Sequence, residues 1–567
     1  MTFKVRHRGS VRLSDRLPLT KEDMAVSKKG TEERAVGGVT RRDALVKAGV
    51  VGAGAIAAGS LAGGAKAATR RSSATPIKRG GRLIWALEQD PVHVAPFGAI
   101  LTSNHWGKQA AYDSLVEWDK NLNLKPALAT SWKIAADQKS ITFNLRKGVK
   151  FHNGKELDAD DVKYSVEKML APPLPGSVTT VSQVPGFDGV DVISKYVVRL
   201  RLKTRDARVF GFLAWNRYSP IVPAGLYDQI NAARNAIGTG PYRMVGFNPN
   251  DRVEYVANKS FWKPGQPYMD AMTLKTLPDE QSRIAALRAG AIDGATVSSD
   301  GAKSLANDSS LVVLKGGTAA FRELQFTIKG DPKPWHDARV RRAVNHAINR
   351  QAIINTVYNG NGNYSGIVPP GYGSWPLTQA ELKSKYQKFD LPKAKALMAA
   401  AGQSKGFSVK LSTFSTPLEF QQIASVIKSQ LKAINIDVEI VAQEPGTFAA
   451  NNGTGNFEWD LTARGMRGDV DGYLNEYNPA AAIYNRWYPL WKNRQVWRNV
   501  GNGKITLDPA KRLPLYKEAQ VLLQNDLPQI GLIQVNKYQV VNKRVQGMYV
   551  AFDDFNTGLR NNVWLAS

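Results

Sequence analysis

A chain of 567 residues exceeds what one hydrophobic core organises, because single cores stop growing at about 250 to 300 residues, so at least two packed units are expected. Hydrophobic residues at 43% and aromatics at 9% make a globular composition; the absence of cysteine excludes disulfides, thiolate metal sites, a cysteine nucleophile and a lipidated N-terminal cysteine. The formal charge of +28 is spread over periodic segments and forms neither a basic stripe nor a nucleic-acid motif, so no nucleic-acid partner is expected and an anionic membrane or wall surface fits better.

Residues 1–39 are polar, charged and without periodicity, and read as a disordered leader. Thr40-Arg41-Arg42-Asp43-Ala44-Leu45-Val46-Lys47 then precedes an uncharged run, Ala48 to Ala65, that ends in Ala65-Lys66-Ala67-Ala68. This segment, 40–67, resembles a twin-arginine export signal with an A-x-A cleavage pattern, although no phenylalanine follows the arginines. It implies work outside the cytoplasm; the alternative is that the run stays as an N-terminal anchor, for which its Gly and Ala content is poorly suited. Residues 68–79 read as a linker.

The next part of the chain is strand-rich. Apolar and polar residues alternate in Ser140 to Arg146 and in Tyr196 to Lys203, the period of a half-buried strand. Between them, Asp158-Ala159-Asp160-Asp161 opens a helix through Val166, with carboxylates at the positive end of the helix dipole. Three neighbouring carboxylates also raise a metal site, but no further ligand cluster accompanies them, and none of the six histidines forms an H-x-x-x-H pair. Gly238-Thr239-Gly240-Pro241-Tyr242 marks a tight turn before a strand over Arg243 to Phe247, too short and wrongly spaced for a phosphate loop. Asp279 to Ala289 is a helix stopped by Gly290.

Further along, helices and strands alternate. Asp337 caps a helix with Val340, Val344 and Ile348 on one face, and Asn349 caps the next, through Ile353 and Val357 to Asn359-Gly360. Asp390-Leu391-Pro392 starts another that stops at Gly402. Leu418 to Ala433 carries Ile423, Val426, Ile427 and Leu431, and Ile436 to Ile440 alternates as a strand. A last helix begins at Asp508-Pro509, with a kink at Pro514 or a later start expected.

From about Gly80 onward the chain resembles the extracytoplasmic solute-binding proteins of family 5, the dipeptide and oligopeptide binders. The resemblance rests on Leu128 to Trp132 with Thr142 to Gly154, on Gly238 to Tyr242, on Ala286 to Asp293, on Asp337 to Ala343 with Ala347 to Arg350, and on Asp508 to Asp526 with Leu527 to Ile530. It implies an α/β, two-lobed periplasmic-binding-protein-like fold of class II, the large three-subdomain type, with hinge-linked lobes. Lobe I would take 80–320 with a subdomain near 116–240, lobe II 321–532, and 533–567 would return to lobe I across two hinge strands. The implied protein is a monomer that is not an enzyme, uses neither cofactor nor metal, binds a small solute, a short peptide, in the interlobe cleft, and docks on the permease subunits of an ABC transporter.

Burying a zwitterion requires a partner for each charge. By resemblance, Asp469 in Asp469-Val470-Asp471-Gly472-Tyr473-Leu474 is the amine-binding aspartate, with Val470 standing where the family has proline; the bland alternative makes Asp469 and Asp471 turn residues beside Gly468 and Gly472. Thr102, Ser103 and Asn104 resemble the family's backbone-contacting Thr-Ser-Gly segment, with Asn104 in place of glycine narrowing the site; Thr102 or Ser103 also reads as a helix cap before Ala110 to Leu115. Trp106, Tyr364, Trp375 and Tyr473 are candidate walls, and Arg467 is the candidate partner of a solute carboxylate. A rival of another class, a secreted hydrolase, lacks support, because no G-x-S-x-G elbow occurs and Gly362-Asn363-Tyr364-Ser365-Gly366 places its serine one position late. Within the resembling family an oligosaccharide, nickel chelate, haem or other solute, or a receptor in place of a transporter, stays open.

Overall fold

The computed structural model describes residues 76–97, 102–120, 122–170, 186–226, 234–550, 559–560 and 562–566. The leader, the export signal and most of the linker expected over 1–79 lie outside the described residues.

The chain opens with strand β1 (Arg82–Leu87) and helix α1 (Thr102–Lys108). Strands β2 (Ala129–Ile134), β3 (Ser140–Leu145), β4 (Phe187–Ser194) and β5 (Val197–Leu202) form a separate four-stranded sheet in the order β2-β3-β5-β4. Ile141, Phe143 and Leu145 bury one face of β3 while the residues between them stay more open, so the alternation read from the sequence is the sheet's two faces. Helix α2 (Ala159–Leu170) packs beside it. Asp158 Oδ1 accepts from the amides of Asp160 and Asp161, and the Asp161 carboxylate is held by Lys155 and the Ala224 amide; the acidic trio is a helix start.

After α3 (Val209–Leu213) come β6 (Tyr242–Asn248), β7 (Arg252–Ala257), β8 (Ala271–Thr276), α4 (Glu280–Arg288), β9 (Gly294–Val297) and the 16-residue β10 (Leu311–Phe326). The helix expected through Ala110 to Leu115 ends instead at Lys108. The carbonyls of Ala110 and Ala111 accept from the amides of Tyr242 and Gly240, which leaves none for a continuing helix, and a side chain at Gly238 or Gly240 would collide with the Ala111 carbonyl. The Gly238-Thr239-Gly240 turn is therefore glycine-rich for close packing.

The second half adds α5 (Ala338–Ala347), α6 (Arg350–Tyr358), β11 (Gly362–Tyr364), α7 (Leu391–Ala400), β12 (Phe407–Phe414), α8 (Glu419–Leu431), β13 (Ile436–Gln443), β14 (Trp459–Arg464), α9 (Asp471–Leu474), α10 (Arg494–Ile505), α11 (Pro509–Asp526) and β15 (Gln529–Asn542). Asp279, Asp337, Asn349, Asp390 and Asp508 each cap the helix that follows them through a side-chain oxygen. Helix α11 starts at Pro509 and runs unbroken past Pro514, so the later start does not occur: Asp508 fixes the first turn and Arg512 anchors the second to Asp469.

One 11-stranded sheet runs β13-β12-β14-β10-β15-β9-β1-β8-β7-β6, with β11 added to β15. Strand β10 pairs β15 twice. Leu311–Gly317 faces 536–542, and after a register shift Phe321–Gln325 faces 529–534. One hydrophobic cluster surrounds β1, β8 and the four-stranded sheet, with Trp85, Phe143 and Tyr255. Another surrounds β12 to β14, with Trp335, Ile423 and Trp459, and a third gathers Tyr473, Tyr488 and Tyr516 between α9, α10 and α11.

Strand β12 depends on Gly406, which has φ +73° and whose absent Cβ would fall within the radius of the Asn435 carbonyl oxygen. Gly406→Ala is expected to lose roughly 2 kcal/mol or more, because the residue would meet both an unfavourable left-handed backbone and a backbone clash. Urea denaturation of the two proteins measures this.

Candidate functional site

A recess of about 480 Å³ opens where the ladder between β10 and β15 is interrupted. Its walls come from distant parts of the chain: Trp85 and Glu88 at the end of β1, Ser103 and Trp106 on α1, Arg322 on β10 and Lys537 on β15. Trp85 and Trp106 stack with centroids 6.2 Å apart, and the Lys537 ammonium lies 4.9 Å from the Trp106 ring centre. The Ser103 hydroxyl is buried and has no hydrogen-bond partner among the described residues. Thr102 opens α1. Asn104 does not narrow this recess: its Oδ1 accepts from the amides of Val92 and His93 at 2.8 and 3.4 Å, and its Nδ2 lies 3.0 Å from His93 Nε2, which fastens the turn after β1.

Asp469 lies elsewhere, on a seam where the turn before α9 meets α3. The Gly211 Cα lies so close to this turn that a Cβ there would collide with the Gly468 carbonyl. Small recesses of about 40 and 30 Å³ flank Gly468 and Asp469, the first beside Arg208 and Trp215, the second beside Trp118 and Trp375. Both Asp469 oxygens are taken by the Arg512 guanidinium in a bidentate pair, and Oδ1 also accepts from the Asp471 amide at 2.7 Å. Burial works against the Arg512 charge, and Asp469, Tyr516 and Asp471 together more than offset it, so Arg512 stays above its usual range.

Asp471 is buried. Its Oδ1 accepts from the Tyr516 hydroxyl, while Oδ2 has no hydrogen-bond partner among the described residues and sits 4.0 Å from Arg208 Nε, across the seam. Desolvation raises this carboxyl to about 6, with Asp469 pushing the same way and Arg512, Tyr516 and Arg208 opposing.

Arg467 lines the larger of the two seam recesses, and its guanidinium reaches Glu476 at 3.5 Å. Tyr473 is buried against Phe321 and Tyr372, with its hydroxyl donating to the Gly465 carbonyl. Tyr364 packs in the core of the second half, and Trp375 lies under the Arg512 guanidinium at 5.4 Å. The structure thus brings Ser103 and Trp106 together in the large recess and Asp469, Arg467 and Trp375 along the seam, and it leaves Tyr364 and Tyr473 in packing positions. Sequence reasoning missed Trp85, Arg322 and Lys537. Nothing local marks them, because they converge only through strand pairing.

Residues 123–488 match the family described as bacterial extracellular solute-binding proteins, family 5. The chain belongs to this family. Among curated relatives, the family 5 chain is 26% identical over 494 residues to the glutathione-binding protein GsiB of Pectobacterium atrosepticum, covering 83% of this chain and 93% of that protein. It is 28% identical over 485 residues to the heme-binding protein A of Haemophilus influenzae, covering 79% and 85%. Among solved structures, the periplasmic binding protein AgaA of A. tumefaciens R10, in complex with agropinic acid, superposes with a TM-score of 0.67 at 28% identity, covering 86% of this chain and 99% of that one. A family 5 protein is the non-enzymatic, extracytoplasmic solute-binding component of an ABC importer with a mixed α/β periplasmic-binding-protein fold, and this chain is one.

In this family 5 protein the seam carries two predictions. Asp469→Ala strands a buried guanidinium and is expected to cost about 3 kcal/mol, whereas Asp469→Ala with Arg512→Met recovers much of that loss; chemical denaturation of the single and double variants reads the difference. Asp471 behaves oppositely to a salt-bridged carboxylate. Because its folded pKa stands above the ordinary value of 3.8, the native state holds the proton longer, so its contribution to stability falls as pH rises from about 4 to about 6 and is level above that. Relative to the wild type, Asp471→Asn removes that slope in unfolding midpoints taken across pH 4 to 7.

Proposed function

We propose that this chain captures a short peptide or peptide-like solute in the 480 Å³ recess and carries it, in a closed form, to the permease subunits. One observation carries the reading: the recess sits at the interruption of the only two strands, among the described residues, that pair on both sides of it, β10 and β15. A solute there touches α1 and β1 on one side and Arg322 on the other, so its contacts differ between open and closed forms. A ligand shifts a conformational equilibrium only through such a difference.

On this reading lobe I is 80–320 with 533–567, lobe II is 321–532, and the hinge is the break in the ladder. The volume lies within the range of small-molecule sites. Ser103 supplies a hydroxyl without an internal partner to a solute amide or carboxylate, and Trp106 supplies an apolar wall. The glutathione-binding relative supports a peptide-like solute. The seam around Asp469 is where the lobes meet, with Asp469 held by Arg512 as a positioning group whose carboxylate faces the seam. A monomer, exported by a twin-arginine signal over 40–67, completes the proposal.

Titration of the purified protein with di- and tripeptides, glutathione, haemin and maltotriose, followed by calorimetry and tryptophan fluorescence, tests it. Peptide dissociation constants near micromolar, about −8 kcal/mol, are expected, with Trp106→Ala weakening them roughly tenfold. A response to maltotriose or haemin with none to any peptide overturns the reading.

A further inference from the structure

The short link between α10 and α11 reaches out of the second half of the chain into the first. Helix α10 ends at Ile505, where the Thr506 hydroxyl donates back to the Asn502 carbonyl at 2.7 Å, and Asp508 caps α11 by accepting from the Ala510 amide at 2.9 Å. Leu507 lies between these two fastenings, at the tip of a corner tied down on both sides. It is 2% exposed, yet it is not part of the aromatic cluster packed between its own two helices. It belongs to the hydrophobic cluster that surrounds β1 and the four-stranded sheet, together with Phe187, Val209 and Phe212.

Hydrogen bonds secure this insertion from both sides. The Leu507 amide donates to Gln138 Oε1 at 3.0 Å, in the turn between β2 and β3, and the Ala207 amide, just before α3, donates to the Lys504 carbonyl at 2.8 Å. On α3 itself, Gly211 meets the Gly468 carbonyl so closely that no Cβ fits between them. Gln138, Ala207 and Gly211 lie within 80–320, whereas Gly468, Lys504 and Leu507 lie within 321–532. None of these six residues lines the 480 Å³ recess. Contacts present in only one conformation bias the equilibrium toward it, and contacts set apart from the solute site do so whether or not that site is filled.

We propose that the Leu507 corner is a latch between the lobes, favouring the closed form independently of solute by seating in the hydrophobic cluster of the four-stranded sheet. This rests on the lobe division and closing motion proposed above, and it adds a closing force from residues outside the site. Opening exposes Leu507 to water and releases the amides of Ala207 and Leu507. A solute then meets a protein whose closed form is populated beforehand, which lowers the conformational cost of capture.

Hydrogen exchange read by mass spectrometry and small-angle scattering test it on the solute-free full chain. Leu507→Ala is expected to speed exchange at Ala207 by about tenfold or more and to enlarge the radius of gyration, while β12 keeps its wild-type exchange because each lobe stays folded. Gly211→Ala is expected to open the same seam without removing a buried side chain: alanine suits a helix better than glycine, but its methyl meets the Gly468 carbonyl. Exchange at Ala207 and scattering that match the wild type in both variants overturn the latch. Protection lost equally over β12 in both variants also overturns it, because the corner then belongs to a single folding unit. No solute enters these measurements, so a latch without peptide binding refutes only the peptide reading, and peptide binding without a latch refutes only this inference.

Discussion

Everything in this chain hangs on two long strands that serve two sheets' worth of partners. Residues 311–317 of β10 and 536–542 of β15 pair with each other beside β9, and 321–325 and 529–534 pair with each other beside β14 and β11. Between these stretches the ladder stops. A hydrogen-bonded ladder resists bending, so any change of angle between its two ends concentrates where bonds are missing. Thr318 bridges the gap locally, with its hydroxyl directed at the carbonyls of Ala320 and Val535, and Gln534 donates to the Thr318 carbonyl from the opposite strand. Thr318, Ala320, Val535 and Asn536 are also recess walls. On the proposed reading, hinge and binding site are the same residues, and a solute needs no relay to be felt by both lobes.

A second irregularity on the same strands shows how the break is kept from spreading. The register shifts again between Arg322 and Glu323, opposite Ile533 and Gly531. The Gly531 carbonyl is supplied by side chains instead: Arg350 Nε and Nη2 at 3.2 and 3.1 Å and Gln387 Nε2 at 3.1 Å. Arg350 is wholly buried, and desolvation lowers it to about 9, yet its donors are met by backbone and by Asn345. On the next strand Arg464 joins Glu323 and Glu476, so an otherwise unfavourable buried acid at the bulge is neutralised. These buried charges sit where the backbone ladder is incomplete, and removing one partner of such a group exposes the defect it covers.

Legibility in the sequence follows the range of the interactions. The caps at Asp279, Asp337, Asn349, Asp390 and Asp508 and the alternating segments 140–146, 196–203 and 436–440 were readable, since each is decided within a few residues, although the last strand runs on to Gln443. The helix through Ala110 to Leu115 was misread because its carbonyls are claimed by residues 240 and 242. Ser103 was named through resemblance and Trp106 through its nearness in sequence, and both line the recess. Arg322 and Lys537 were not, because an isolated cation in a strand carries no local mark and only the register of β10 on β15 places both on one recess.

The acidic turn at 469–471 shows why residue type alone does not assign a role. Two aspartates two positions apart share a loop, yet Asp469 is paired with a bidentate guanidinium and Asp471 is buried with one oxygen facing Arg208 at a distance too long for a hydrogen bond. Arg208 is itself committed to Asp206, which holds it above its usual range against burial. Across the seam, Asp206, Asp469 and Asp471 meet the guanidiniums of Arg208 and Arg512, while Arg467 reaches Glu476. Burial is the chief reason that the Asp471 carboxyl is raised, with the neighbouring Asp469 adding to it. A cation entering the seam would have to compete with Arg512, already bidentate and desolvated. The uneven supply of counter-charges, more than the type of any one residue, sets the role of each aspartate in this turn.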